Sequence, residues 1–322
     1  QLPLARCAIE GSSVGCDVSV LMPAYNEADN LVEVIPATAA ALEALGRSWE
    51  IVVVDDGSTD GTRTVMAGLR SANVRYIRLR RNSGKSAALE VGLDHVDGEH
   101  VVLMDADGQD DPDELPKMFA KLDEGYDLVT GSRVGGRQDR FIKRNTSKIY
   151  NGATAAVTGV KMKDFNSGYK LMTRELADSL EMYGELHRYI PVLAVWNGFK
   201  VSEVTVEHHE RLHGTSKFGP ARFWRGFLDL VTVKFLTTYT ARPFHLFGGI
   251  GFGIGFGGSL ILLWMLVSKL LGHDIGQRPV LQLGVLLIVV AVQMISLGLL
   301  GELMVNLRRR DRLDSSAEGD LR

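Results

Sequence analysis

The chain has 322 residues, of which 45% are hydrophobic and 23% charged, and a formal net charge of -3 at pH 7. This length accommodates one large globular domain plus an additional segment, and the slightly acidic balance lacks the positive excess typical of nucleic-acid binding, so no nucleic-acid partner is expected. The two cysteines, Cys7 and Cys16, lie in an irregular leader at 1–16. This count and placement support neither a disulfide framework nor a thiolate metal site, and free thiols are expected.

Three apolar runs in the first third of the chain each lead into a polar loop and then into a helical stretch. The runs occupy 18–22, 51–54 and 101–104, and the loops occupy 23–27, 55–61 and 105–109. Such runs predict buried β-strands, and their alternation with helices predicts an open, mostly parallel α/β sheet. The carboxyl ends of the strands then form one crevice, which suits a nucleotide.

The first loop reads Pro23, Ala24, Tyr25, Asn26, Glu27. Proline is expected to end the strand, after which backbone groups and the tyrosine ring can meet a flat nucleobase. Asn26 or Glu27 is expected to open the next helix. The alternative interpretation is an ordinary strand-to-helix turn.

The loop at 105–109 sets two carboxylates and an amide after a buried strand, namely Asp105, Asp107 and Gln109. Hard oxygen ligands at this position suit Mg²⁺ or Mn²⁺ holding a diphosphate. Taken alone, the same residues also fit a polar turn that caps the next helix. The acidic loop at 55–61 favours the metal interpretation, because it is expected at the same edge of the sheet.

The segment 81–86 ends in Gly84, Lys85 and Ser86, as a Walker A motif does. A true Walker A motif needs a glycine five residues before Gly84, and Leu79 occupies that position. The nucleoside-triphosphatase interpretation is therefore excluded. A plain helix N-terminus is the simpler alternative to a nucleotide contact here.

A basic stretch follows at 131–148, in which one acid, Asp139, faces six cations: Arg133, Arg137, Arg140, Lys143, Arg144 and Lys148. Such a run often forms a solvated surface. In a domain tethered to a membrane it would also attract anionic headgroups or a lipid-borne phosphate.

Two further polar segments lie downstream. Asp164 opens the turn at 164–170, where a helix-capping aspartate is the simpler interpretation. His209 and His213 have the spacing of a zinc pair, but the HExxH order is missing and glycine and small polar residues follow, so a zinc site is not favoured.

Two apolar stretches at 244–271 and 280–305 each exceed the roughly 20 residues needed to cross a bilayer. They predict a transmembrane hairpin. Positive residues flank its outer ends, whereas the connecting loop carries only Arg278, so both chain ends and the soluble domain are expected on the cytoplasmic side of the inner membrane. The residues after 306 are expected to form a short cytoplasmic tail.

Aromatic and basic residues alternate between 218 and 243, which predicts interfacial amphipathic helices. Within the first span, Gly249, Gly253 and Gly257 form successive small-xxx-small steps. These predict close helix packing or homo-oligomerisation.

Taken in order, the segments PAYNE, VVVDDGSTDGT, RRNSGKSAALEVGL, MDADGQ, GSR, DFNSGYK and EHHERLHGTSKFG resemble the inverting family 2 glycosyltransferases. The likeness is to the polyprenyl-phosphate branch, which contains dolichol-phosphate mannose synthase and bactoprenol glucosyltransferase, and it covers roughly 17–310. It implies a GT-A catalytic domain at 17–217, interfacial helices at 218–243, a membrane hairpin at 244–306 and a tail at 307–322.

The resemblance also implies residue roles. Metal ligands would be Asp105, Asp107 and Gln109; acceptor-phosphate contacts would be Arg133, Arg144 and Ser147; and the catalytic set would be Asp107, Asp164 and Arg133. Asp164 would lie near the sugar, where it would hold a hydroxyl or serve as a base. Donor and nucleotide contacts would be Pro23, Ala24, Tyr25, Glu27, Asp55, Asp56, Ser58, Gly84, Lys85, Asp105, Ala106, Arg211 and Lys217.

The implied reaction is metal-dependent transfer of a sugar from a nucleotide sugar to a polyprenyl phosphate, with inversion. UDP-glucose is the favoured donor; GDP-mannose, UDP-galactose and UDP-N-acetylhexosamines are alternatives. Processive polysaccharide synthesis is disfavoured, because 222–225 does not match the Gln-x-x-Arg-Trp motif of related transferases. The alternative from another class is a non-catalytic membrane sensor of nucleotide sugars.

Overall fold

The computed structural model describes residues 15–132, 155, 159–160, 162–165, 167–182, 184, 186–209, 243–272 and 279–319, with side chains in the last range up to 305. The chain divides into two compact units, Gln1–Val233 and Lys234–Arg322. Each unit is described by itself.

The first unit alternates strands and helices. Its described strands are β1 (Val18–Ala24), β2 (Trp49–Asp55), β3 (Val74–Arg78), β4 (His100–Leu103), β5 (Leu128–Ser132), β6 (Lys170–Thr173) and β7 (Val201–Thr205). Its described helices are α1 (Ala28–Ala44), α2 (Thr62–Leu69), α3 (Lys85–Leu93), α4 (Leu115–Asp123), α5 (Arg174–Ser179) and α6 (Ile190–Trp196), with 3₁₀ turns at Pro112–Glu114 and Leu186–Tyr189.

The strands form one sheet in the order β3-β2-β1-β4-β6-β5-β7. All neighbouring pairs are parallel except those of β6, which runs antiparallel to β4 and to β5. The predicted mostly parallel α/β sheet is therefore confirmed. Its parallel strands direct their carboxyl ends, and the polar loops that follow them, to one edge.

The central strands are buried on both faces, which explains their continuous apolar runs. Ile51 and Val53 belong to one core cluster, and Val52 and Val54 belong to the cluster that contains the α3 residue Leu89. Burying a side chain of this size contributes roughly 1.5–3 kcal/mol. The strand ends are thus fixed by packing, while the loops beyond them are available for chemistry.

The expectation that Pro23 ends the first strand is wrong. Strand β1 continues to Ala24, and its pairing with β2 extends through Pro23 opposite Val54 and Ala24 opposite Asp55. Proline removes one backbone donor but no acceptor. The carbonyl of Ala24 still accepts a hydrogen bond from the N–H of Asp56 at 2.8 Å.

The second unit contains two long helices, α7 (Pro243–Leu270) and α8 (Pro279–Gly319). The segments Pro243–Leu270 and Pro279–Val305 are long and apolar enough to cross a membrane, with mean hydropathies of 2.0 and 2.6. The helices pack against each other. The predicted pair of apolar C-terminal helices is confirmed, whereas the orientation of the chain ends stays a prediction. The interfacial helices predicted at 218–243 lie, apart from Pro243, outside the described residues.

The glycines that let α7 and α8 approach each other are not the predicted ones. A Cβ atom on Gly251 would lie 2.9 Å from Ile295, whereas one on Gly249, Gly253 or Gly257 would meet nothing within 4 Å. Those three glycines lie on a different face of α7 and do not contact α8, so the prediction that they pack closely is wrong within the hairpin. Oligomerisation through that face stays a prediction.

Candidate active site

The loop after β1 is held to the loop after β2. The N–H of Asn26 donates to Ser58 Oγ at 2.9 Å, and the N–H of Thr59 donates to Asn26 Oδ1 at 2.8 Å. Asn26 has a φ of 57°, which asparagine tolerates better than most residues. The N–H of Ala28 donates to Asp60 Oδ2 at 3.2 Å, so the second loop also caps α1.

Asp55 is fully buried at the end of β2. Its carboxylate accepts hydrogen bonds from the N–H of Ser58 at 2.7 Å and the Tyr76 hydroxyl at 2.5 Å, and Arg78 Nε lies 3.5 Å away. Burial raises the pKa of Tyr76, and its hydrogen bond to the Asp55 carboxylate raises it further. Asp55 thus organises the loop through contacts within the protein, and its predicted contact with base or ribose stays a prediction.

Asp56 joins the second loop to the third. Its carboxylate accepts from the N–H of Ser83 at 2.6 Å and from that of Gly84 at 2.9 Å. Gly84 has a φ of 95° and forms the N-cap of α3, a backbone conformation that favours glycine. These contacts fix the start of α3, so the following Lys85 is held at the edge of the sheet.

Lys85 forms an ion pair with Asp105, the first residue of the predicted metal-binding loop. The Asp105 side chain is 34% exposed. Partial desolvation opposes ionisation, but the positive charge and hydrogen bond of Lys85, aided by Lys170, lower the pKa of Asp105 below its ordinary value. The carboxylate is therefore ionised at neutral pH, as a cation ligand or a diphosphate-positioning group requires.

Asp107 and Gln109 lie on the same tight turn, in which Gly108 has a φ of 73°. The N–H of Gln109 donates to Asp107 Oδ1 at 3.2 Å, and Asp107 is 7% exposed. Within the described part of the chain, no group of three or more His, Cys, Asp and Glu residues is arranged to hold a metal. The oxygen set still fits Mg²⁺ or Mn²⁺, because these ions often take only one or two protein carboxylates and leave other positions to substrate phosphate and water.

The segment after β7 contacts this turn. The N–H of His209 donates to the carbonyl of Gln109 at 2.9 Å, and the Gln109 amide nitrogen donates to the carbonyl of His209 at 3.3 Å. This contact uses the amide nitrogen of Gln109, so it does not occupy the amide oxygen that would bind a metal. His209 Nε2 also lies 3.0 Å from Asp111 Oδ2, and His208 Nδ1 lies 3.6 Å from Asp110 Oδ1.

In the sequence, His209 stands out only as half of a possible zinc pair with His213. His208, Asp110 and Asp111 were not singled out, and their contacts join segments about 100 residues apart, which spacing cannot reveal. His213, the other half of that pair, lies outside the described residues.

The turn that begins at Asp164 also reaches Asp105. A Cβ atom on Gly168 would lie 2.6 Å from Asp105 Oδ2, so glycine permits the close approach. Lys170 is 2% exposed and donates to the carbonyl of Ser167. The structure thus brings this turn to the acidic loop, while the predicted sugar contact of Asp164 stays a prediction.

His187 is a member of the site that the sequence analysis missed. Its ring Nδ1 lies 2.8 Å from the Oγ of Ser86, which is in the first turn of α3. The backbone N–H of His187 donates to the same oxygen at 3.4 Å. Burial lowers the pKa of His187 to about 2, and the nearby charges of Lys85, Arg188 and Lys170 act in the same direction. The ring is neutral at physiological pH. Its sequence signal is only a His-Arg pair before an apolar helix.

Several predicted site residues lie outside the described residues. They are the acceptor-phosphate residues Arg133, Arg144 and Ser147 and the donor-loop residues Arg211 and Lys217, together with the flanking cations Arg137, Arg140, Lys143 and Lys148. Of the nucleotide-loop residues that are described, Tyr25 is 38% exposed, as a base-stacking ring requires.

A mostly parallel α/β sheet with acidic loops after its parallel strands is the arrangement expected of a GT-A domain. The chain matches the model of the family described as Glycosyl transferase family 2 over residues 19–180. It is 36% identical to dodecaprenyl-phosphate galacturonate synthase of Rhizobium johnstonii over 302 residues, which cover 92% of this chain and 89% of that protein.

It is also 37% identical to undecaprenyl-phosphate 4-deoxy-4-formamido-L-arabinose transferase of Salmonella paratyphi A, over 88% of this chain and 87% of the relative. The chain belongs to glycosyl transferase family 2. The resemblance seen in its motifs is confirmed, and the protein is a transferase.

Solved structures agree on the fold. Glucosyl-3-phosphoglycerate synthase from Mycobacterium tuberculosis, in complex with Mn²⁺ and UDP-glucose, superposes with a TM-score of 0.52 at 21% identity, covering 70% of this chain and 80% of that one. Mannosyl-3-phosphoglycerate synthase from Rubrobacter xylanophilus gives a TM-score of 0.52 at 20% identity, covering 68% and 73% of the two chains. These likenesses establish the GT-A fold.

Proposed function

We propose that this protein transfers a sugar from a nucleotide diphosphate sugar to the phosphate of a polyprenyl phosphate, at a membrane. The observation that carries the proposal is that Lys85, at the start of α3, and Gly168, in the turn before β6, both approach Asp105. Two relatives matched along nearly their whole length, whose names specify dodecaprenyl phosphate and undecaprenyl phosphate, support the acceptor class. The two apolar helices support membrane association.

The favoured donor of the sequence analysis, UDP-glucose, has no support from these relatives. Their names specify galacturonate and 4-deoxy-4-formamido-L-arabinose. We therefore propose a nucleotide-linked uronic acid or modified pentose as the donor, with glucose, mannose, galactose and N-acetylhexosamine donors as the alternatives to be tested.

In the proposed reaction an oxygen of the acceptor phosphate attacks the anomeric carbon of the donor sugar. The new carbon–oxygen bond forms as the bond to the diphosphate breaks, the bonding electron pair leaves with the nucleoside diphosphate, and the single displacement inverts the anomeric configuration. A phosphate monoester has a second pKa of about 6, so the nucleophile is already largely anionic at pH 7. Asp164 is then needed to hold a sugar hydroxyl and not to remove a proton.

Mg²⁺ or Mn²⁺, which Asp105, Asp107 and Gln109 would hold, supplies Lewis-acid neutralisation of the diphosphate charge. Lys85 adds a fixed positive charge beside Asp105. The neutral His187 ring, bound to Ser86, helps to hold the first turn of α3, on which Lys85 lies. Arg133, Arg144 and Ser147 would bind the acceptor phosphate, and Arg211 and Lys217 would close over the donor.

The test is a donor panel assayed with purified full-length protein, Mg²⁺ and undecaprenyl phosphate. Each donor carries a radiolabelled sugar, and the product is extracted into butanol. A labelled lipid formed with the galacturonate or formamido-arabinose donor is the expected result. Binding of a labelled donor without formation of any labelled lipid would contradict the proposed reaction.

A further inference from the structure

A groove lined by arginines lies between α2 and the edge strand β3, away from the candidate metal-binding loop at 105–109. The cavity has a volume of about 600 Å³ and is lined by Arg63, Ala67, Arg70, Tyr76, Arg78, Leu79 and Arg80. Arg63, Ala67 and Arg70 are spaced i, i+4 and i+7 along α2 and its C-cap, so these three residues share one face of the helix. Strands β2 and β1 separate β3 from β4, after which Asp105 follows. We call this cavity the β3 groove.

Of the four arginines that line the β3 groove, only Arg78 forms an ion pair among the described residues, with Asp55 at 3.5 Å. Within the part of the chain that the structure describes, Arg63, Arg70 and Arg80 form no ion pair. Arg75, on the same strand, is by contrast neutralised by Glu50 at 2.5 Å and by Asp97 at 3.1 Å. Converging guanidinium groups repel one another, and a bound anion would relieve that repulsion.

We propose that the β3 groove binds a phosphate-bearing anion. Guanidinium groups present planar pairs of N–H donors that match phosphate oxygens, and several of them converging on one cavity favour a doubly charged group. The small Ala67 side chain leaves room between Arg63 and Arg70 on the helical wall. The phosphate comes either from a soluble phosphorylated compound or from a lipid headgroup.

The β3 groove is linked to the loop after β2 through Asp55. Arg78 donates to the carbonyl of Ser58 at 2.9 Å and lies 3.5 Å from Asp55, which also accepts from the Tyr76 hydroxyl. An anion that engages Arg78 competes with these contacts. Occupancy of the groove therefore alters donor affinity, a coupling that rests on the proposed function because it assigns this loop to the donor.

The binding test uses the full-length protein in detergent, with inorganic pyrophosphate titrated calorimetrically in EDTA-containing buffer so that metal-bridged binding at the acidic loop is suppressed. Saturable binding is expected, and Arg63→Glu and Arg70→Glu should each weaken it by about tenfold or more, because each replaces an anion-binding charge by a repelling one. The matched control is Lys200→Glu, which makes the same charge change at an exposed position outside the groove. Arg70→Gln, which removes the charge without reversing it, guards against misfolding.

Lys85→Ala separates the two candidate locations. Pyrophosphate binding that survives Lys85→Ala but is lost in Arg70→Glu supports the groove, whereas loss in Lys85→Ala alone assigns the anion to the donor site and overturns the proposal. Equal affinity in all variants, or no saturable binding by pyrophosphate or lipid, also overturns it.

Nanodiscs of phosphatidylcholine with and without phosphatidylglycerol distinguish the sources. A rise in the unfolding midpoint with phosphatidylglycerol that Arg70→Glu abolishes identifies a headgroup; an effect of pyrophosphate alone identifies a soluble phosphate. Sugar transfer is measured on the same proteins. Transfer that persists in Arg70→Glu while pyrophosphate binding is lost supports the groove, and absence of transfer in the wild type bears only on the proposed function.

Discussion

Lys85 and Asp105 form an ion pair that joins the first turn of α3 to the loop after β4. The pair places a cation beside the first carboxylate of the acidic loop and lowers the pKa of that carboxyl group. Lys85 is itself oriented by the capping of α3, in which the Asp56 carboxylate accepts from Ser83 and Gly84. These three contacts join the loops after β2 and β4 at the start of α3.

Lys85→Ala should raise the pKa of Asp105 and weaken donor binding. Loss of a charge-assisted contact of about 1.5–3 kcal/mol corresponds to roughly a tenfold to hundredfold rise in KM for the donor. Initial rates at varied donor concentration measure it. The control is Lys121→Met, which removes a lysine paired with Glu124 on α4 and should leave KM unchanged. An unaltered donor KM in Lys85→Ala would show that the pair is only structural.

Gly168→Ala should reduce transfer by displacing Asp105. The added Cβ would lie 2.6 Å from Asp105 Oδ2, closer than real contacts permit, so the carboxylate must move. Gly68→Ala is the matched control, because its Cβ would meet nothing within 4 Å and the change favours the helix by up to about 1 kcal/mol. We expect activity to fall in Gly168→Ala and to persist in Gly68→Ala, and equal activity of the two variants would contradict the assigned role.

His187→Ala should raise the donor KM, since the ring contacts Ser86 beside Lys85. The rise in KM should not follow the change in unfolding midpoint across the variants at this position. His187→Asn keeps a polar group near the Nδ1 position, so it should restore part of the affinity, whereas His187→Phe keeps the ring volume and should not. A structural role alone predicts the opposite ranking, with the phenylalanine variant nearest to wild type. Donor KM and kcat, with thermal unfolding of each variant, distinguish the two.

In the helical hairpin, Gly251→Leu and Gly253→Leu make a matched pair. A Cβ on Gly251 would lie 2.9 Å from Ile295 and 3.0 Å from the Ala291 carbonyl oxygen, whereas one on Gly253 would meet nothing within 4 Å. Overpacking typically costs about 1–3 kcal/mol, so only Gly251→Leu should destabilise the hairpin. Thermal unfolding in detergent measures it. A larger loss for Gly253→Leu would place the tighter interface on the other face and favour oligomerisation there.

The sheet could be predicted because each strand and the loop after it are marked by neighbouring residues in the sequence. Continuous apolar runs such as 51–54 must be buried on both faces, and the acidic loops follow them directly. The hydrogen bond of His187 to Ser86 and the contact of His209 with Gln109 could not be predicted, since each joins segments about 100 residues apart. The glycine face of α7 that meets α8 was misassigned because small-xxx-small spacing identifies a packing stripe without identifying its partner.

The most direct test of the central claim is lipid-linked sugar formation by wild-type protein and by Asp107→Ala, each with Mg²⁺ and with EDTA, after the fold of the variant is verified by its unfolding midpoint. Labelled lipid should form only in the wild type with Mg²⁺, because Asp107 belongs to the carboxylates that would hold the cation. Full activity of Asp107→Ala in the presence of EDTA would contradict the metal role of this loop.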